Sequence, residues 1–170
     1  MKEDVGHKYL PEFVYGGIDG TVTTFAVVSG VIGASLTSSV VLILGFANLF
    51  ADGFSMAISN YLSTKSRNEI SKCKLSESKS ALATFIAFLA VGIIPLISFV
   101  VAALTGNDYL IKMQFIYSII LTGLSLLIIG AVKGEIVGKS RIKSSIQTFL
   151  IGGTAALLAF VVGYFLRNIG

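Results

Sequence analysis

Cysteine occurs once in the 170 residues, at Cys73, and histidine once, at His7. A single cysteine excludes an internal disulfide framework and any multi-cysteine metal site within one chain. Charge is scarce too: 13% of residues are charged, against 54% hydrophobic, with a mean hydropathy of +0.86. That balance excludes an ordinary soluble domain and matches a polytopic membrane protein. The opening stretch, MKEDVGHKYLPE, is polar and has no apolar h-region, so no cleavable signal peptide is expected. The net charge of +4 does not point to nucleic acid, because the basic residues gather in short breaks between apolar runs.

Five apolar runs are present, and the expected fold is an all-α integral membrane protein with five transmembrane helices. The spans are placed at about 13–35, 39–63, 81–104, 110–132 and 146–166, within a single transmembrane domain covering 1–170. The break at 35–39 is short and predicts a tight hairpin, whereas 66–80 reads as a polar cytoplasmic linker. Under alternating topology one side holds Lys2, Lys8, Lys65, Arg67, Lys72, Lys74, Lys79, Lys133, Lys139, Arg141 and Lys143. The other side holds only Lys112 and Arg167. The positive-inside rule therefore predicts a cytoplasmic N-terminus and a C-terminus on the opposite side.

Within the second run, Asn48, Asp52, Met56 and Asn60 follow one another at four-residue intervals. Successive members of such a series share a helix face and drift by about 40° per step. The result is a ribbon of oxygen and sulfur donors winding through apolar sequence. Asparagine and serine often hydrogen-bond across membrane helices, which would explain Asn48 and Asn60 alone. Asp52 is different. An intramembrane carboxylate costs at least about 2.5–3.5 kcal/mol on insertion scales and marks an ion or proton route.

The first run, FVYGGIDGTVTTFAVVSGVIGA, carries a second acid, Asp19. Gly16 and Gly20 beside it have the GxxxG spacing that allows close helix approach, although chance produces that spacing often in glycine-rich helices. Counted from the expected span ends, Asp19 lies about 9 Å from the cytoplasmic end of its helix and Met56 about 10 Å from that of its own. Asp52 is one turn deeper. A carboxylate and a thioether at one level, with another carboxylate above, suit a metal.

The remaining polar residues have ordinary explanations. Pro95 in GIIPLISF predicts a kink and a freed carbonyl that neighbours must satisfy. Gln114 and Tyr117 read as interfacial anchors, Glu135 as a solvated salt-bridge partner, and the small residues of the fifth run as packing positions. His7 and Cys73 carry no expected role.

The stretches GGIDGTVTTFAVVSGV and ANLFADGFSMAISNYLSTKS resemble the vacuolar iron transporter family, as do IIPLISF and IGGTAALLAFVVGYFL. The resemblance implies a five-helix protomer, a homodimer with its metal path along the first two helices, and proton-coupled export of ferrous iron or manganese from the cytosol. Asp19 matches the family's aspartate of the first helix and Met56 its methionine of the second, both in the transport site. With Asp52, Asn48 and Asn60 they form the expected metal set. No cofactor is expected, Fe²⁺ or Mn²⁺ being the transported substrate. The expected partners are divalent metal ions, protons, membrane lipid and a second copy of the chain. The chain departs from the family pattern at Asn48, where some members carry glutamate, and at Asn60, where many read GEY. Asp52 would supply the acid one turn from Asn48. The short 66–80 linker lacks the helical metal-binding domain of larger members. The membrane would be the cell membrane in a prokaryote and the vacuolar membrane in a eukaryote.

Other classes compete with a metal exporter. One is a proton-coupled exporter of another cation or a small solute. An intramembrane aspartyl protease would need Asp19 and Asp52 close enough to share a proton, and the expected depth difference opposes it. A structural subunit would tolerate loss of both acids. No enzyme is expected.

Overall fold

The computed structural model describes residues 9–71 and 75–168, so His7 and Cys73 lie outside the described residues. Six helices follow one another: α1 (Leu10–Gly33), α2 (Ser38–Ile70), α3 (Glu77–Gly92), α4 (Ile94–Thr105), α5 (Asp108–Ile136) and α6 (Arg141–Leu166). Among the described residues there are no strands. Helices α1, α2, α5 and α6 are each long and apolar enough to cross a membrane, and α3 with α4 makes a fifth span if the bent pair is taken as one.

The bend between α3 and α4 is 48°, and Pro95 sits in the first turn of α4. Proline has no N–H to donate to Val91, four residues back, so that carbonyl is freed. The Thr21 hydroxyl of α1 lies 3.4 Å from it. Ser118 of α5 donates to the Pro95 carbonyl at 2.6 Å, and Ser98 of α4 donates to that of Gln114 at 2.7 Å. The kink is thus held by hydroxyls from neighbouring helices. Gln114 is buried and donates to Ser38 at 2.6 Å, which makes it a bridge between α5 and α2, not an interfacial anchor.

The connections are shorter than the polar breaks of the sequence. Helix α2 continues to Ile70 and α3 starts at Glu77, so only 71–76 remain of the expected 66–80 linker. Polar side chains do not stop a helix that projects beyond the apolar layer. Asn68 also clamps the turn, donating to the Leu75 carbonyl at 2.7 Å and to Glu77 at 2.6 Å. The α1–α2 hairpin is tight as expected. It turns through Ser35 at φ 58°, with Leu36 N–H bonded to the Val31 carbonyl at 3.1 Å in a Schellman closure.

Helix α1 is the centre, packing against α2, α3, α5 and α6. Its small residues are what admit those neighbours: a methyl group on Gly16 would lie 2.5 Å from the Thr84 carbonyl oxygen, and one on Gly20 equally close to that of Phe88. The GxxxG pair is therefore an α1–α3 seam within one protomer. Phe25, Val28, Val31, Val41, Leu96, Phe99 and Ala156 form the apolar core. Elsewhere the interior is lined with Thr21, Thr24, Thr84, Ser118 and Thr122, while Ile43, Phe54, Ile128 and Phe165 point outward. Small polar residues inside and large apolar ones outside are what lipid as solvent selects.

Candidate functional site

Helix α3 sets the register between α1 and α2. Its residue Thr84 backs Gly16, and the Thr84 hydroxyl accepts from the Asn60 amide at 2.9 Å. One turn further, Phe88 backs Gly20, while its ring comes within 3.1 Å of a methyl placed on Gly53. Residues 16–20 of α1 are therefore opposite residues 53–60 of α2. Asp19 falls toward the Gly53 end of that overlap, with Met56 inside it and Asp52 one residue beyond.

The packing of Phe88 against both Gly20 and Gly53 sets Asp19 and Asp52, the residues just before those glycines, near the same crossing of the bundle.

On α2 the line Val41, Gly45, Leu49, Gly53 and Ala57 is buried. Asn48, Asp52, Met56 and Asn60 form the next line and are half-buried, and beyond them Ala47, Ala51, Ser55 and Ser59 are exposed. The polar line borders the packed face and is open on its other side. The Asn48 amide nitrogen is buried without a partner.

Asn60 is occupied at both ends of its amide. Besides donating to Thr84, it accepts from Ser80 at 2.7 Å and from Thr64 at 3.2 Å. The same cluster holds Glu12, which sequence reasoning passed over as part of a polar lead-in. Glu12 is 9% exposed, with Ser80 at 3.3 Å, Arg67 at 3.8 Å and one carboxylate oxygen buried without a partner. Its signal was its place seven residues, two helical turns, before Asp19. Asp19 also lines a cavity of about 430 Å³ between α1, the end of α5 and the middle of α6, together with Lys133 and Ile151. Lys133 was counted for topology alone.

Among the described residues, no three histidine, cysteine, aspartate or glutamate side chains gather into a metal cluster. One chain offers a carboxylate on α1 and, on the stretch of α2 opposite it, a carboxylate and a thioether with amides along the same line. These features define a multi-pass helical membrane protein with a half-buried polar line along its second helix.

The sequence model of the VIT family matches residues 10–79 and 71–164, so the chain belongs to that family. It is 27% identical to the vacuolar iron transporter of Toxoplasma gondii over 226 residues, covering 94% of this chain and 74% of that protein. The vacuolar iron transporter of Plasmodium falciparum is 24% identical over 225 residues, covering 94% and 82%. Vacuolar iron transporter homolog 2 of Arabidopsis thaliana is 30% identical over 163 residues, covering 88% and 80%. The two parasite alignments run over more positions than the 170 residues of this chain, so those relatives carry inserted stretches. The two matched segments meet at 71–79, the α2–α3 connection.

Proposed function

We propose that the protein is a transporter that moves Fe²⁺ or Mn²⁺ out of the cytosol in exchange for protons, along a path between α1 and α2. The observation that carries this reading is the register that sets Asp19 of α1 opposite the stretch of α2 holding Asp52 and Met56. Two carboxylates balance one divalent ion. A thioether is a soft donor that first-row transition metals accept and that Mg²⁺ and Ca²⁺ do not reward. Family membership and the iron transporters among the relatives support the same cargo. Asn48 and Asn60 extend the path outward and inward, Asn60 at a cytoplasmic mouth where its carbonyl is shared with Ser80 and Thr64. Metal binds the ionised carboxylates, so protons compete with it and a pH gradient can drive release.

The functional unit is a homodimer. The open side of the polar line is flanked by Ala47, Ala51, Ser55 and Ser59, small exposed residues suited to close helix contact, and a second copy would close the path there. The basic residues place the N-terminus in the cytosol, in the cell membrane of a prokaryote or the vacuolar membrane of a eukaryote. The protein acts as a carrier and not as an enzyme.

Purified protein in liposomes with an acidic lumen tests the reading. Mn²⁺ or Fe²⁺ should accumulate inside while the lumen turns alkaline, and dissipating the pH gradient should stop both. Metal uptake no faster than in protein-free liposomes, with either direction of gradient, would remove metal as the cargo.

A further inference from the structure

Lys133 is a cation without an evident occupation. It is half-buried, whereas Lys139, Arg141 and Lys143 after it are exposed. The acid nearest to it in sequence, Glu135, is bonded to Arg141 at 2.6 Å. Among the described residues the ion pairs are that one and Arg67–Glu12, so Lys133 belongs to neither. What Lys133 does share is the cavity of about 430 Å³ whose wall includes Asp19. The rest of the wall is apolar apart from Tyr15, with Val14, Ile18, Val22, Ile136 and Ile151 among it, so Asp19 is its one carboxylate.

The register gives the axial separation of the two. Gly17 of α1 stands against Ile129 of α5, a methyl on the glycine lying 3.2 Å from the isoleucine tip. Val22 and Leu126 both border Gly152, so α1 and α5 run antiparallel. Lys133 is one turn from Ile129 toward the start of α1, about 6 Å, and Asp19 is two residues from Gly17 the other way, about 3 Å. The two are thus about 9 Å apart along the axis, and the cavity that both line is the space across which a lysine stem would extend toward the carboxylate. In an apolar cavity an ammonium and a carboxylate attract far more strongly than in water.

We propose that Lys133 is a tethered competitor for Asp19: its ammonium swings onto the carboxylate when the site is empty and is displaced when a divalent cation arrives. This rests on the metal path proposed above and adds a specificity-determining residue to it. The empty carrier then presents less uncompensated charge to the membrane, and a cation must outcompete Lys133 to bind. Divalent ions do so more readily than monovalent ones, so the lysine also acts as a threshold against Na⁺ and K⁺.

Mn²⁺ binding to the purified protein in detergent, followed by electron paramagnetic resonance of the free ion, is the test. Lys133→Gln should tighten binding on the order of tenfold, within the range of ordinary coupling free energies. Lys133→Arg keeps the charge and should stay near the parent. In an Asp19→Asn background, Lys133→Gln should change nothing. A loss of folding weakens binding, so tightening is a result that a structural role does not produce; Lys133→Met serves as a second neutral variant. Equal Mn²⁺ affinity in parent, Lys133→Gln and Lys133→Met would assign Lys133 to the membrane interface and overturn the proposal while leaving the metal path standing. Equal affinity in parent and Asp19→Asn would overturn the metal path itself.

Discussion

Gly20 of α1 and Gly53 of α2 meet on a single residue, Phe88 of α3. Each glycine directly follows an acid, in the Asp19–Gly20 and Asp52–Gly53 pairs. The packing that seats the two glycines against Phe88 therefore also fixes the relative height of the two carboxylates. Stability and site geometry are coupled at this one crossing.

Gly20→Ala puts a methyl 2.5 Å from the Phe88 backbone, where no side chain can rotate away. Overpacking of this kind costs about 1–3 kcal/mol, and the melting temperature in detergent should fall accordingly. Gly153→Ala is the control, because a methyl there meets nothing within 4 Å. It should leave the melting temperature unchanged or raise it, alanine being the better helix former by about 1 kcal/mol.

Acid should loosen the α2–α3 turn through Glu77. Its own backbone N–H, and then the Asn68 amide, hold the Glu77 carboxyl below its ordinary value of 4.5. A group with a lowered folded pKa contributes stability that is present above its unfolded pKa and lost as pH falls through the folded one. Thermal midpoints should therefore fall below pH 4.5. Asn68→Ala should lower the midpoint at neutral pH. Its difference from the parent should narrow in acid, where the Glu77 contribution is gone from both.

Topology can be read from the lone thiol. Cys73 sits in the α2–α3 connection, which the lysine and arginine distribution assigns to the cytosol. An impermeant maleimide should fail to label it in sealed right-side-out cells and should label it after permeabilisation. Labelling in intact cells would reverse the orientation and with it the direction of export.

Much of the fold was legible because lipid imposes length: each of the five apolar runs coincides with a helix or with the bent pair. Pro95 was legible for the same kind of local reason, its missing N–H. Helix ends were not. Residues such as Lys65, Arg67 and Asn68 extend α2 beyond the apolar layer, and hydropathy is silent there. The partner of the GxxxG pair was not legible either, since spacing announces a close approach without naming the helix that makes it. Within the site, the four-residue period revealed the line on α2. Glu12 and Lys133 were hidden because each lies at a polar boundary where a charge needs no explanation, and only packing shows that they turn inward.

Met56 separates a transition-metal site from a general cation path. Met56→Leu preserves volume and removes the donor. Fe²⁺ transport should weaken and discrimination against Mg²⁺ should drop, with little change in thermal stability. Unchanged affinity and selectivity would assign Met56 to packing.

The most direct measurement is metal uptake by Asp19→Asn in proteoliposomes with an acidic lumen, beside the parent at equal reconstituted amounts. The substitution keeps shape and removes the charge that a divalent ion requires. Uptake should be abolished and insensitive to the pH gradient, with the melting temperature nearly that of the parent. Asp19→Asn that carries metal at the parent rate, still driven by the gradient, would contradict a path built on Asp19, Asp52 and Met56.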